Sequence, residues 1–148
     1  MSNKTEANWW IEKYPFLMVK DNSVYPWIPI GSTEEHWLSD LPNGWVNAFG
    51  EQMCDELLDA LGKHVNDFII MQTKEKYGSI CLYWRWNNRE YTENELCEIN
   101  HLHSKVRDII TKYEEVSYKT CARCGQPATK YSSPWVLPLC DDCFEDFK

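Results

Sequence analysis

Two cysteine pairs, Cys121-x-x-Cys124 and Cys140-x-x-Cys143, stand fifteen residues apart in the C-terminal stretch of this 148-residue chain. This is the spacing of a four-thiolate zinc site. Two residues between cysteines let a tight turn aim both sulfurs at one ion, and zinc accepts a tetrahedron of thiolates. Gly125 follows the first pair and can adopt the left-handed backbone that turns amides toward the sulfurs. A redox Cys-x-x-Cys usually stands singly at a strand end in a βαβ unit, and two pairs in a short tail do not match that. Residues 117–148 are too few to form a hydrophobic core of their own, so a metal is the expected staple. Four thiolates leave no coordination position for a catalytic water, which makes the expected Zn2+ a single structural ion.

The rest of the composition bounds the fold class. The chain is 43% hydrophobic and 26% charged, ordinary values for a globular domain. It has no apolar run of membrane-spanning length. Residues 1–6 lack the basic and apolar regions of a signal peptide. Cys54, Cys81 and Cys97 have no evident pairing logic, and a count of seven cysteines suits a reducing cytoplasm.

Charge and tryptophan are the unusual features. The net charge is −8. Residues 1–61 carry ten acidic and three basic side chains, whereas the remainder is nearly balanced. An acidic half is unsuited to phosphate and compatible with a basic protein partner. There are eight tryptophans, with Trp9, Trp10, Trp27, Trp37 and Trp45 all in the first 45 residues. Most are expected in the core, although tryptophan is also enriched at binding hot spots.

Read in order, the chain predicts an α+β fold: two amphipathic helices packed on a small antiparallel hairpin, with a C-terminal four-cysteine module. Residues 1–42 form an irregular Trp- and Pro-rich segment packed on the body, with a helix or strand around 9–19 broken at Pro15. Ser32 and Glu35 have the spacing to start a helical turn. Residues 43–116 form the helix–hairpin–helix body. Asn43 is a candidate cap. Trp45, Phe49, Met53, Leu57 and Leu61 then recur at helical spacing as far as Gly62. Strands follow at 67–73 and 80–86, joined by a turn at 74–79 that contains Gly78. Thr92 and Glu95 have the capping-box form, and Leu96, Ile99, His103, Val106, Ile110 and Tyr113 make the apolar stripe of the second helix. Residues 117–148 are the zinc module: a knuckle, a small hairpin from 128–131 and 135–137, and a helical turn after Cys143. A treble clef and a zinc ribbon both remain open.

Three stretches together resemble a family of small, mostly uncharacterised phage- and prophage-encoded proteins: Gly44-Trp45 into 49–54, the Lys74–Ser79 stretch, and the cysteine quartet with Trp135. The resemblance covers roughly residues 43–143. It implies a mobile-element origin and a bacterial cytoplasmic site of action, and it supplies no catalytic residues.

No phosphate-binding glycine loop occurs. His101 and His103 point to different sides of a helix and do not share an ion. The expectation is therefore a non-enzymatic protein-binding module acting on a host protein, such as a defence or nucleic-acid enzyme. Its contact residues would be Glu51, Asp55, Glu56 and Asp59 on the first helix, together with Trp37. The alternative is a nucleic-acid-binding zinc protein that uses Lys74, Lys76, Arg85 and Arg89 on the hairpin, with Tyr77, Tyr83 and Tyr131 for stacking.

Overall fold

A computed structural model of the chain describes residues 7–147. Lys4, Glu6, Lys148 and the stretch read above for a signal peptide lie outside the described residues. Among the described residues, no helix is long and apolar enough to cross a membrane.

The architecture is α+β, with a C-terminal four-cysteine cluster. The elements are α1 (Ala7–Lys13), a 3-10 turn (Pro15–Leu17), α2 (Asn43–Trp45), a π-helical turn (Val46–Gly50), and α3 (Glu51–Leu61). A 3-10 stretch (Gly62–Asp67), β1 (Phe68–Lys76), β2 (Ser79–Trp86) and the long α4 (Glu93–Tyr118) follow. The tail holds β3 (Lys130–Tyr131), β4 (Pro138–Leu139) and α5 (Asp141–Phe147). α4 packs on β2, α3 leans chiefly on α4, and the Pro15–Leu17 turn packs on β1. One hydrophobic cluster runs through all of this, from Trp10 and Phe16 through Trp45, Leu57, Ile70 and Ile110 to Ala122 in the tail.

The first body helix has an unexpected interior. Pro42, not Asn43, occupies the cap position, and no side chain caps the helix start. The five stripe residues Trp45, Phe49, Met53, Leu57 and Leu61 are all buried. Their strict spacing of four exceeds the 3.6 residues of an α turn, so a uniform α-helix would rotate each successive one ~40° away from the core. The π turn at Val46–Gly50 widens the coil where that drift would begin.

The hairpin is longer than expected. β1 runs to Lys76, leaving only Tyr77 and Gly78 between paired Lys76 and Ser79. Both have positive φ, 53° and 89°, which is the left-handed pair of a type I′ turn. A bulge between Ile70 and Gln72 leaves Met71 without a strand partner. It reverses which side chains face inward. Thr73 is thereby buried, and its hydroxyl donates to the Trp37 carbonyl. Glu75 pairs with Ile80 and lies on the same side of the hairpin.

Three further expectations need correction. Ser32 accepts from the amides of Glu34 and Glu35, as a cap would, yet no helix follows, and the chain turns at 37–40 instead. On α4 the capping box forms from both sides. The buried stripe, however, is Ile99, Leu102, Val106, Ile110, Tyr113 and Ser117. Leu96 and His103 are both exposed, the His103 ring lying 4.8 Å from the Trp84 ring and accepting from Trp86 Nε1 at 3.2 Å. In the tail, the strands pair Lys130 with Leu139 and Tyr131 with Pro138, one step outside the predicted second strand.

Candidate functional site

Gly125 takes φ +85°, and its amide donates back to the Cys121 carbonyl at 3.0 Å, closing the first cysteine turn. Cys140 immediately precedes α5, and Cys143 lies within it. Knuckle, hairpin, then helix carrying the second pair is the order of a treble clef, whereas a ribbon would place both pairs in hairpin turns. The four sulfurs lie within 4.8 Å of one another, with Cys124 and Cys140 Sγ 3.6 Å apart. That spacing far exceeds the ~2.05 Å of a disulfide and lets four sulfurs share one ion. Burial pushes the Cys121 thiol up, but backbone amides of Cys124, Cys140 and Arg123 outweigh it and bring the thiol down to about 6. Hydrogen bonding to Cys140 moves the Cys143 thiol the other way, up to about 12. These four residues can hold a metal ion.

The knuckle is built into the body. Gly44 N donates to the Ala122 carbonyl at 2.8 Å, and Trp45 Nε1 donates to the Thr120 carbonyl at 3.0 Å. A Cβ on Gly44 would lie 2.3 Å from Cys121 O, and one on Gly125 would lie 2.9 Å from Gly44 O. Backbone therefore touches backbone where the first helix begins and the first cysteine pair starts. Cys121 and Ala122 are buried as a result.

The acidic residues expected to meet a partner are mostly engaged internally. Glu51 pairs with Lys13 at 3.0 Å. Asp55 accepts from the Tyr14 hydroxyl at 2.6 Å. Glu56 takes both Lys112 and the Tyr113 hydroxyl. Burial, followed by these carboxylates, holds both tyrosines protonated well above their usual range. Asp59 is the one of the four left outside these ties, and it is exposed. Trp37 is 1% exposed and lies in the core, so it presents no surface to a partner.

The basic set divides. Arg85 pairs with Asp21 at 3.1 Å. Arg89 reaches Asp67 at 2.8 Å and Glu95 at 2.9 Å, and it lies over the Tyr91 ring. Asp67 also takes His64 Nδ1 at 3.0 Å, and His64 Nε2 lies 3.3 Å from Glu98. Hydrogen bonding from Arg89 outweighs burial and holds the Asp67 carboxyl at about 2. Among the described residues, the lysines and arginines in ion pairs are Lys13, Lys63, Arg85, Arg89 and Lys112. Lys74 and Lys76 are outside that set, as are Lys119 and Lys130.

The turn of the hairpin places Tyr77, expected above as a stacking ring, beside Trp135, which the sequence reading did not name as a site residue. Tyr77 is 78% exposed and Trp135 67%. Trp135 comes from the loop between the cysteine pairs, and its Nε1 donates to Glu75 Oε1 at 2.9 Å. The other Glu75 oxygen accepts from Gly78 N at 2.8 Å. Gly78 itself is wedged between Val136 of the loop joining the cysteine pairs and Tyr118 at the end of α4. Trp27 is 75% exposed on the N-terminal loop, edge-on to Tyr25. Sequence offers a signal for both tryptophans: Trp27 stands between Pro26 and Pro29, and Trp135 follows Pro134. Such turns give a ring no regular element to pack from. Neither a family model, nor a curated protein, nor a solved structure matches this chain.

Proposed function

We propose that this chain is a non-enzymatic protein-binding module, stapled by one structural Zn2+, that presents the hairpin turn and the metal loop to its partner. The observation that carries this reading is Tyr77. Its left-handed backbone costs an ordinary side chain ~1–2 kcal/mol, and its ring recovers little of that by burial. A strained, exposed aromatic beside a second exposed aromatic is what a binding hot spot needs before its partner arrives.

Zinc is the ion that suits the quartet. Four thiolates at ~2.3 Å in a tetrahedron stand ~3.8 Å from one another, close to the 3.6 Å between Cys124 and Cys140 Sγ. Cys121, Cys124, Cys140 and Cys143 would hold it, and its chemistry there is purely structural. One zinc per chain in elemental analysis is the expected result, and iron in its place would sink this part of the reading.

The resemblance to phage and prophage proteins makes the partner a protein of the bacterial cytoplasm, with an inhibited defence or nucleic-acid enzyme as the favoured kind. Affinity purification with the zinc-loaded chain tests this. A partner retained by the natural chain and lost by the Tyr77→Ala/Trp135→Ala double variant is expected. Recovery of the chain alone from several bacterial hosts would count against it. Lys76 and Lys119, outside the ion pairs above, favour a second reading: single-stranded nucleic acid stacked on the same rings. Gel shifts at low salt decide between them, since a shift at micromolar protein supports the second and its absence the first.

A further inference from the structure

The loop between the cysteine pairs has little core of its own. Of the described residues from Gly125 to Leu139, only Ser132, Pro138 and Leu139 are buried. Its strands β3 and β4 have two residues each. A segment so short of core keeps its shape through its ends, and here each end is a cysteine pair. The loop also reaches the hairpin turn. Trp135 Nε1 donates to Glu75 Oε1 at 2.9 Å, while Glu75 Oε2 accepts from the Gly78 amide at 2.8 Å. One carboxylate thus joins an indole of the loop to an amide of the turn. That turn is the strained element, with Tyr77 at φ 53° and Gly78 at φ 89°. Gly78 is buried, so its amide would be a donor cut off from water if Glu75 turned away.

We propose that Glu75 is a latch that couples metal occupancy of the cysteine quartet to the conformation of the Tyr77 turn. With metal on the four thiolates, the loop holds Trp135 against Glu75, and Glu75 holds the turn. With metal removed, Trp135 leaves, Glu75 loses its fixed rotamer, and Tyr77 relaxes from its left-handed backbone. The proposal rests on the protein-binding reading above, because the latched turn is the surface assigned there to the partner. It adds regulation: the chain presents Tyr77 in one set conformation only when it carries metal. The physical reason is shared ordering. Glu75 is a long, part-exposed side chain, and either hydrogen bond alone must fix all its torsions. Once the indole has fixed them, the bond to Gly78 costs less entropy, and the reverse holds. Each donor takes a different carboxylate oxygen, so neither bond substitutes for the other. Packing of the same loop adds to the coupling. Val136 stands against Gly78 directly, and Tyr131 stacks at 4.7 Å on Tyr118, which packs on Gly78 from the α4 side.

The test reads hydrogen exchange at the Gly78 amide by NMR, in the full chain under reducing conditions. The natural chain is compared with Trp135→Phe, which keeps a ring without the indole N–H, and with Glu75→Gln, which offers one acceptor oxygen in place of two. In the zinc-loaded state each variant should speed Gly78 exchange about tenfold, while Ile70 and Val106 exchange as in the natural chain. Stripping zinc from the natural chain with a chelator should speed Gly78 by a similar factor. Stripping it from Trp135→Phe should add little, as expected of two changes acting on one bond. Coupling is reciprocal, so zinc affinity, measured in competition with a chromophoric chelator, should fall about fivefold in both variants. Unchanged Gly78 exchange or unchanged zinc affinity in the variants would overturn the latch, and so would additive effects of chelation and Trp135→Phe. Where chelation also opens the body, seen at Ile70 and Val106, the zinc-loaded variants decide alone. None of these readouts uses a partner. A latch that passes while affinity purification returns the chain alone removes the protein-binding reading and keeps the coupling. A partner captured through Tyr77, with Gly78 exchange indifferent to Trp135→Phe, removes the latch alone.

Discussion

The two ends of the β1–β2 hairpin are made of the same kinds of residues and use them in opposite ways. At the open end, Arg85 and Arg89 are tied to Asp21, Asp67 and Glu95, and Trp84 and Trp86 pack on Phe68 and His103. At the turn end, Lys76 and Tyr77 stand beside Trp135 with little of their surface covered. Composition makes both ends basic and aromatic. Only the partners of each side chain separate an end that holds the fold from an end free to meet another molecule.

The largest expected effect breaks the turn end at its staple. Cys124→Ser should abolish stoichiometric zinc and lower the melting temperature by about 10 °C or more, because metal binding is folding energy for so short a tail. It should also raise the mobility of Trp135, read by indole fluorescence anisotropy. An unchanged melting temperature and zinc content would refute the role given to the quartet. Next comes the seam between knuckle and body. Gly44→Ala forces a Cβ onto the Cys121 and Ala122 backbone, which has no rotamer to yield, and should cost about 3 kcal/mol in urea unfolding. A loss under half that would mean the seam opens readily.

At the open end, Asp67→Asn should cost about 2–3 kcal/mol at neutral pH, since Arg89 and His64 lose a buried charged acceptor. Asp67 is depressed to about 2 in the folded chain. Its stabilisation is therefore complete above the ordinary carboxylate range and is lost as pH falls from ~4 toward 2. Acid titration of stability should show the natural chain falling across that window and the variant lacking that component of the fall. The smallest effect has the opposite sign. Tyr77→Asn places the preferred residue at the first left-handed turn position and should stabilise the chain by about 0.5–1 kcal/mol while weakening partner binding. Destabilisation by this change would show that the Tyr77 ring supports the fold after all.

Much of this architecture is legible in the residues. The cysteine spacing, the Thr92–Glu95 box, the hairpin and the stripe from Trp45 to Leu61 all carry local signals that the tertiary structure reinforces. Elsewhere, packing decided between local options. Leu102 and His103 are adjacent, and only contact with β2 and α3 selects leucine for the interior. Ser32 makes its cap bonds, but Trp37 and Leu38 are drawn into the core before a helix can continue. The acidic side chains of α3 read as a wet surface because their partners, Lys13, Tyr14, Lys112 and Tyr113, are distant in sequence. Tyr77 was legible as a candidate stacking ring, but its placement beside Trp135 was hidden for the same reason: it depends on how the loop between the cysteine pairs docks against the hairpin.

The contact of Gly44 with Gly125 sets a limit on modularity. Four-cysteine tails look interchangeable because each carries its own staple, but this one shares a backbone seam with the body. A chimera that keeps the body and receives a foreign zinc tail should bind metal and still fold poorly, unless the incoming knuckle leaves that corner bare. The two halves are fitted to one another as matched pieces, and neither is a spare part.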